Sequence, residues 1–164
     1  MKRLIIYDVP IGHIGPYTNE DDILVNACDI HRYCIGCFGC WLKTPGKCII
    51  KDGFEDMGQR LSQVSEFILI SKATFGSYSS PVKNVLDRSI SYVLPFFVIR
   101  NGEMHHGERY QNVLTISALF YGPMTENEKR TAENLVKANA VNLNAALGKV
   151  HFVEGMENAR EVLV

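Results

Sequence analysis

Apolar residues recur in short runs along this chain, and helical periodicity appears between several of them. Arg3-Leu-Ile-Ile-Tyr7 is a branched and aromatic run closed by Asp8, Pro10 and Gly12, which predicts a buried first strand ended by turn formers. Residues 23–27 predict a second strand. Residues 10–22 between them hold two prolines and two glycines with no helical period, so the crossover helix there is expected to be short or missing. Phe54, Met57, Leu61 and Val64 recur at three- and four-residue spacings and predict an amphipathic helix over 54–64, leading into a third strand at 67–71. Ser80 and Pro81 supply an N-cap and a first-turn proline, and Val82, Val85, Leu86 and Ile90 form the apolar stripe of the helix that follows. A fourth strand is expected at 113–120, closed by Gly122 and Pro123. Thr125 and Glu128 have capping-box spacing and open a helix expected to run to Leu147, with Gly148 as its stop. A fifth strand at 149–153 and a final helical turn at 158–163 complete the pattern.

Strands alternating with helices predict a mainly parallel, doubly wound α/β sheet of about five strands, in the order 2-1-3-4-5, with helices on both faces. In such a sheet ligands bind beyond the carboxyl ends of the strands, where the winding reverses between strands one and three. The loops to watch are therefore 8–22, 72–80 and 118–125. The length of 164 residues suits one domain over 1–164.

Composition narrows the function classes. A net charge of -1 without a basic run leaves no footprint for nucleic acid. The longest apolar stretches, 93–99 and 113–121, fall short of the ~20 residues that span a bilayer, so a cytoplasmic protein without a membrane segment is expected. Five cysteines in a reducing compartment point to metal, cluster, redox or packing roles. Cys34, Cys37 and Cys40 have the x2, x2 spacing of cluster ligands, with Cys48 following after seven residues, and Gly36, Gly39 and Gly46 let the chain bend between them. Four thiolates are thus available for a [4Fe-4S] cluster, or for zinc, although a second Cys-x-x-Cys pair is lacking. The alternative is that small apolar thiols pack a glycine-rich loop. Cys28 lies outside the spacing and is expected in the core.

The segment Cys34-Ile-Gly-Cys37-Phe-Gly-Cys40-Trp-Leu-Lys-Thr-Pro-Gly-Lys-Cys48-Ile-Ile-Lys-Asp52 resembles the signature of flavodoxin-like NAD(P)H-dependent FMN reductases and their iron-sulfur flavoprotein relatives. Ser71-Lys-Ala-Thr-Phe-Gly-Ser-Tyr-Ser-Ser-Pro-Val-Lys83-Asn-Val-Leu-Asp87-Arg88 resembles that family's loop after the third strand and the helix beyond it. The resemblance implies a flavodoxin-like fold and an FMN-dependent oxidoreductase or electron-transfer protein, taking NAD(P)H or a redox partner and assembling as a homodimer. It places Ser71, Lys72, Ala73, Thr74, Phe75 and Gly76 against the isoalloxazine ring, with Ala118, Tyr121 and Gly122 approaching from another side. In the iron-sulfur relatives, Cys34, Cys37, Cys40 and Cys48 would hold the cluster. The sequence departs from the family in two places. Ser71-Lys72-Ala73-Thr74 stands where the family has Ser-Pro-Val-Tyr. The Gly-Ser-Pro-Arg loop whose helix holds the FMN phosphate is absent, and Asp8 would repel a phosphate beside it. A non-catalytic flavodoxin-like subunit that has lost tight FMN binding, and an iron-sulfur electron relay, are therefore the alternative functions.

Trp41 and the run from Tyr92 to Phe97 are candidates for a ring pocket, a core or a subunit interface. His105 and His106 read as surface histidines on a loop. Lys83 and Asp87 have the spacing of a helical ion pair. The sequence holds no Ser-His-Asp arrangement, HExxH motif or Walker loop that would point to hydrolysis or phosphoryl transfer.

Overall fold

The computed structural model describes residues 2–159. In chain order the strands are β1 (Arg3–Tyr7), β2 (Ile23–Asn26), β3 (Glu66–Lys72), β4 (Val93–Arg100), β5 (Glu103–Glu108), β6 (Thr115–Tyr121) and β7 (Ala146–Val153). The α-helices are α1 (Gly39–Leu42), α2 (Met57–Ser62), α3 (Ser80–Arg88) and α4 (Glu126–Asn142). Five strands form one parallel sheet in the order β2-β1-β3-β6-β7, the doubly wound order expected from the sequence, while β4 and β5 pair as a separate antiparallel hairpin.

Strand alternation divides the apolar residues between the two faces of the sheet. Leu4, Ile6, Phe67, Leu69, Ile116 and Phe120 face the layer of α2, α3 and α4, where Leu61, Val82, Val85, Ala132 and Val136 complete the main core. Ile5, Tyr7, Ile68, Ile70 and Leu119 point the other way and meet Val9, Ile14, Met156 and Ala159. Helices on both faces were expected, but among the described residues this second face is covered by short 3₁₀ turns instead. The first crossover is the reason: Ile11–His13 and Gly15–Tyr17 are single 3₁₀ turns where a full helix would lie. Arg3 ties this crossover to the sheet, donating to Asp22 at 3.0 Å and 2.5 Å and to the carbonyl of Tyr17 at 2.9 Å.

Several element bounds differ from expectation for local reasons. The helix expected over 54–64 is helical only at Met57–Ser62. The cap of α3 is Ser79, whose hydroxyl accepts from the Val82 amide, so Ser80 is already inside the helix. The helix opened by the Thr125–Glu128 capping box stops at Asn142, five residues early, because Asn144 turns left-handed at φ 52° and Ala146 already pairs with β6. The last strand is longer accordingly. Residues 93–108, expected to hold an aromatic run and a loop, form the β4–β5 hairpin around Asn101 and Gly102, both at positive φ. Of the final turn expected at 158–163, residues 160–163 lie outside the described residues, and Met156–Ala159 form a 3₁₀ turn.

Candidate functional site

Parallel pairing of β1 with both β2 and β3 brings the ends of β1, β3 and β6 to one edge, with the loops beginning at Asp8, Ala73 and Gly122 side by side. Asp8 bridges the first two: both oxygens of its carboxylate accept from the Lys72 amide at 3.1 Å. The Ala73 amide donates to the Tyr121 carbonyl at 2.9 Å, and the Gly122 amide to the Val153 carbonyl at 3.0 Å. Thr74 and Ser77 exchange backbone hydrogen bonds across a two-residue turn in which Phe75 (φ 50°) and Gly76 (φ 76°) are both left-handed. Gly76 packs on α4, where an added Cβ would crowd Thr131 and the Glu128 carbonyl. Phe75 is thereby held out into solvent at 91% exposure.

The residues implicated by sequence therefore have different roles. Ser71 is fully buried, and its hydroxyl accepts from the Ser79 amide at 2.8 Å, closing the loop onto the start of α3. The backbone amides of Lys72 and Ala73 are occupied within the protein. Ala118 sits within β6, paired with Leu69 and Val150 and 2% exposed, so it does not reach the edge. Thr74 and Phe75 are exposed on the turn, and the half-buried Tyr121 and Asp8 border it. Burial pushes the Tyr121 phenol well above its usual range, and the negative charge of the Asp8 carboxylate pushes it further. Cys28, expected in the core, is exposed beside the same edge, its sulfur 4.0 Å from the Asp8 carbonyl oxygen. Its thiol is raised by burial first, and then by Asp8 and Asp29.

No family model and no curated protein matches this sequence. Solved structures do. An FMN-dependent NADH-azoreductase from Bacillus anthracis, in complex with FMN, superposes with a TM-score of 0.59 at 13% identity, covering 99% of this chain and 96% of that one. The general stress protein 14 of Treponema denticola, also in complex with FMN, gives 0.58 at 11% identity over 99% and 91%. The fold is flavodoxin-like. A longer protein, the Flv1 flavodiiron core from Synechocystis, is covered over 31% of its length at a TM-score of 0.48.

Within this flavodoxin-like frame the cysteine segment runs along α3, tied to it through Asn84 and Arg88. A cavity of about 640 Å³ opens between that segment, the C-terminal parts of α3 and α4, and the β4–β5 hairpin, and Cys34, Cys37, Cys40 and Cys48 all border it. Among the described residues, however, no group of three or more His, Cys, Asp or Glu is placed to hold a metal ion, so the cluster and zinc expectations gain no support. Local bonding explains the arrangement. The Cys37 sulfur accepts from the Gly39 amide at 3.4 Å, the Cys34 amide is held by Asn84 at 3.0 Å, and the Cys48 amide by the Glu55 carbonyl at 2.7 Å. Burial raises the Cys40 thiol, favouring its neutral form. The extra residues around Pro45 form a turn closed by Lys47 donating to the Thr44 carbonyl at 2.8 Å.

His105 and His106 are on β5, not a loop, and their side chains alternate across the hairpin. The His106 ring lies between Trp41 (centroids 4.7 Å apart) and Phe97 (4.8 Å), and the Trp41 indole donates to the Val93 carbonyl at 2.9 Å. Sequence reading singled out each of these residues but missed the strand pair that joins them. Asn101-Gly102 was its signal, a dipeptide suited to a turn with two left-handed residues.

Proposed function

We propose that this protein is a flavin-dependent oxidoreductase of the FMN-reductase type, with the flavin ring seated at the carboxyl edge against the Thr74–Ser77 turn. The observation that carries this reading is Phe75. A large aromatic side chain is left almost wholly exposed on a turn of two left-handed residues, one of them, Gly76, lying close against α4, at the switch point where this fold binds ligands. A flat ring laid beside it would cover apolar surface that is otherwise left in water. The FMN complexes of structural neighbours add support at the level of fold.

The residues fit a flavin at its ring end. They do not fit its phosphate end. In the 8–22 loop the amides of His13, Ile14, Tyr17 and Thr18 already donate to carbonyls within the loop, Pro10 and Pro16 have none to offer, and no full helix directs a dipole at the site. A bound flavin would supply hydride acceptance from a nicotinamide nucleotide and onward electron transfer. The protein's part is to hold the ring on the turn, beside Tyr121.

The non-catalytic alternative draws on the same loop, which has no full helix and whose His13, Ile14, Tyr17 and Thr18 amides are already bonded. Titrating the protein into a flavin solution separates the two readings: saturable quenching of flavin fluorescence, weakened at least several-fold by Phe75→Ala without loss of helical signal, is expected. Absence of binding to riboflavin and FMN alike would leave the non-catalytic reading.

A homodimer belongs to this reading as well. A two-stranded ribbon is marginal by itself, yet β4 exposes Phe96, Phe97 and Ile99, and β5 exposes Met104. The hairpin forms one wall of the cysteine-lined cavity, so its exposed apolar residues and the cavity mouth are continuous. A twofold axis would place each copy's hairpin against the other's recess.

A further inference from the structure

We propose that the carboxyl edge around Asp8 selects against a terminal phosphate, so that it takes the unphosphorylated flavin, riboflavin, at least as well as FMN, with Asp8 as the discriminating residue. This rests on the flavin reading above and specifies which member of that class the site accepts.

Asp8 is the first residue after β1, the position from which a phosphate-binding loop would start, and its carboxylate already occupies the Lys72 amide with both oxygens. Lys72 is the last residue of β3, so this pairing fixes a carboxylate between the ends of β1 and β3, where the winding reverses. The carboxylate is fixed by this pairing and borders Tyr121, whose phenol stays protonated next to it. Asp29 adds a second negative charge at the same edge: together with Asp8 it raises the Cys28 thiol, and it raises the Tyr7 phenol, in both cases after burial. Lys72 is the nearest basic residue in sequence to the Asp8 contact. Its side chain is exposed, and no ion pair joins it to Asp8 among the described residues. A phosphate entering here would meet fixed negative charge and, at Lys72, Ala73 and Thr74, amides already bonded, whereas a neutral ribityl chain offers hydroxyls that donate to Asp8.

The test is a side-by-side titration of riboflavin and FMN, followed by fluorescence quenching, on the wild type and on Asp8→Asn. Asparagine keeps an oxygen to accept from the Lys72 amide and removes the charge. The wild type is expected to bind riboflavin as tightly as FMN or tighter. In Asp8→Asn, the ratio of FMN to riboflavin affinity should rise about three- to tenfold, because both flavins lose the same charged acceptor for their ribityl hydroxyls and only FMN also loses the repulsion. Should the variant not fold, ionic strength gives a second measure on the wild type: added salt screens the repulsion, so it should tighten FMN and leave riboflavin unchanged. A tenfold or greater wild-type preference for FMN, or FMN binding that weakens with salt, overturns the inference and leaves the flavin reading standing. Failure of both flavins to bind overturns the flavin reading and this inference with it.

Discussion

The Arg88 side chain is wholly buried at the end of α3, and its guanidinium donates to both oxygens of Asp52, at 2.6 Å and 2.7 Å, and to the carbonyls of Ile50 and Arg32. These bonds fasten both ends of the cysteine segment to the helix. Guanidinium hydrogen bonds hold the Asp52 carboxyl below its ordinary value of 3.8, against an opposing effect of burial. A depressed carboxyl contributes stability that is complete above the unfolded value and is lost as pH falls through the folded one. Chemical denaturation at a series of pH values should therefore show stability declining below about pH 4, with part of that decline absent in Asp52→Asn. At neutral pH the same substitution leaves a buried cation without its anion and should cost roughly 3 kcal/mol. An unchanged denaturation midpoint would show that the pair holds nothing. The sequence named Asp52 and Arg88 as parts of two motifs, but 36 residues separate them and no local pattern pairs them. Lys83 and Asp87, four apart on one helix, were legible as an ion pair and form one.

Turns decide where the elements of this chain stop. Asn101 and Gly102 adopt φ of 51° and 83°, the pair of left-handed residues that matches the twist of a two-residue hairpin. Nothing lies within 4 Å of where a Gly102 Cβ would stand. Gly102→Ala therefore tests backbone conformation alone, and thermal unfolding should report a loss of about 1–2 kcal/mol with no change in the sheet signal. A stability equal to the wild type would mean that the turn is not held in this form. At the other end of the fold, Asn144 ends α4, although Ala145, Ala146 and Leu147 continue an apolar pattern compatible with helix. Pairing of Ala146 and Leu147 with Thr115 and Ile116 outweighs that local preference.

Over the whole molecule, the apolar surface left uncovered is concentrated around the hairpin and the cysteine segment. Ile35, Phe38, Phe97, Ile99 and Met104 are each 50–70% exposed. With about 150–250 Å² per large side chain, they leave roughly 500–800 Å² uncovered, at or above the top of the range for a monomer. The proposed homodimer covers it. Sedimentation at tens of micromolar should give twice the mass of the chain, and Ile99→Asp should give a monomer with an unaltered circular dichroism spectrum. A monomeric wild type at that concentration would refute the dimer.

Hydrophobic periodicity carried the sheet. Strands buried on both faces are written as continuous apolar runs, and the absence of a period over residues 10–22 correctly announced the reduced first crossover. The loops at the carboxyl edge followed from strand order alone, since parallel pairing leaves them no other place. What the tertiary structure decided was how their polar groups are spent. No sequence rule says that Asp8 reaches the Lys72 amide 64 residues away, or that Ala118 is used as core. Nor does cysteine spacing say whether sulfurs converge. The same four thiols border one cavity without forming a metal-holding group; the Cys34 and Cys48 amides are held by Asn84 and Glu55, and the Cys37 sulfur accepts from the Gly39 amide. Burial patterns are local and repeat along the chain, so they can be read from it. Hydrogen bonds between distant segments depend on positions that exist only after the sheet and its helices have packed.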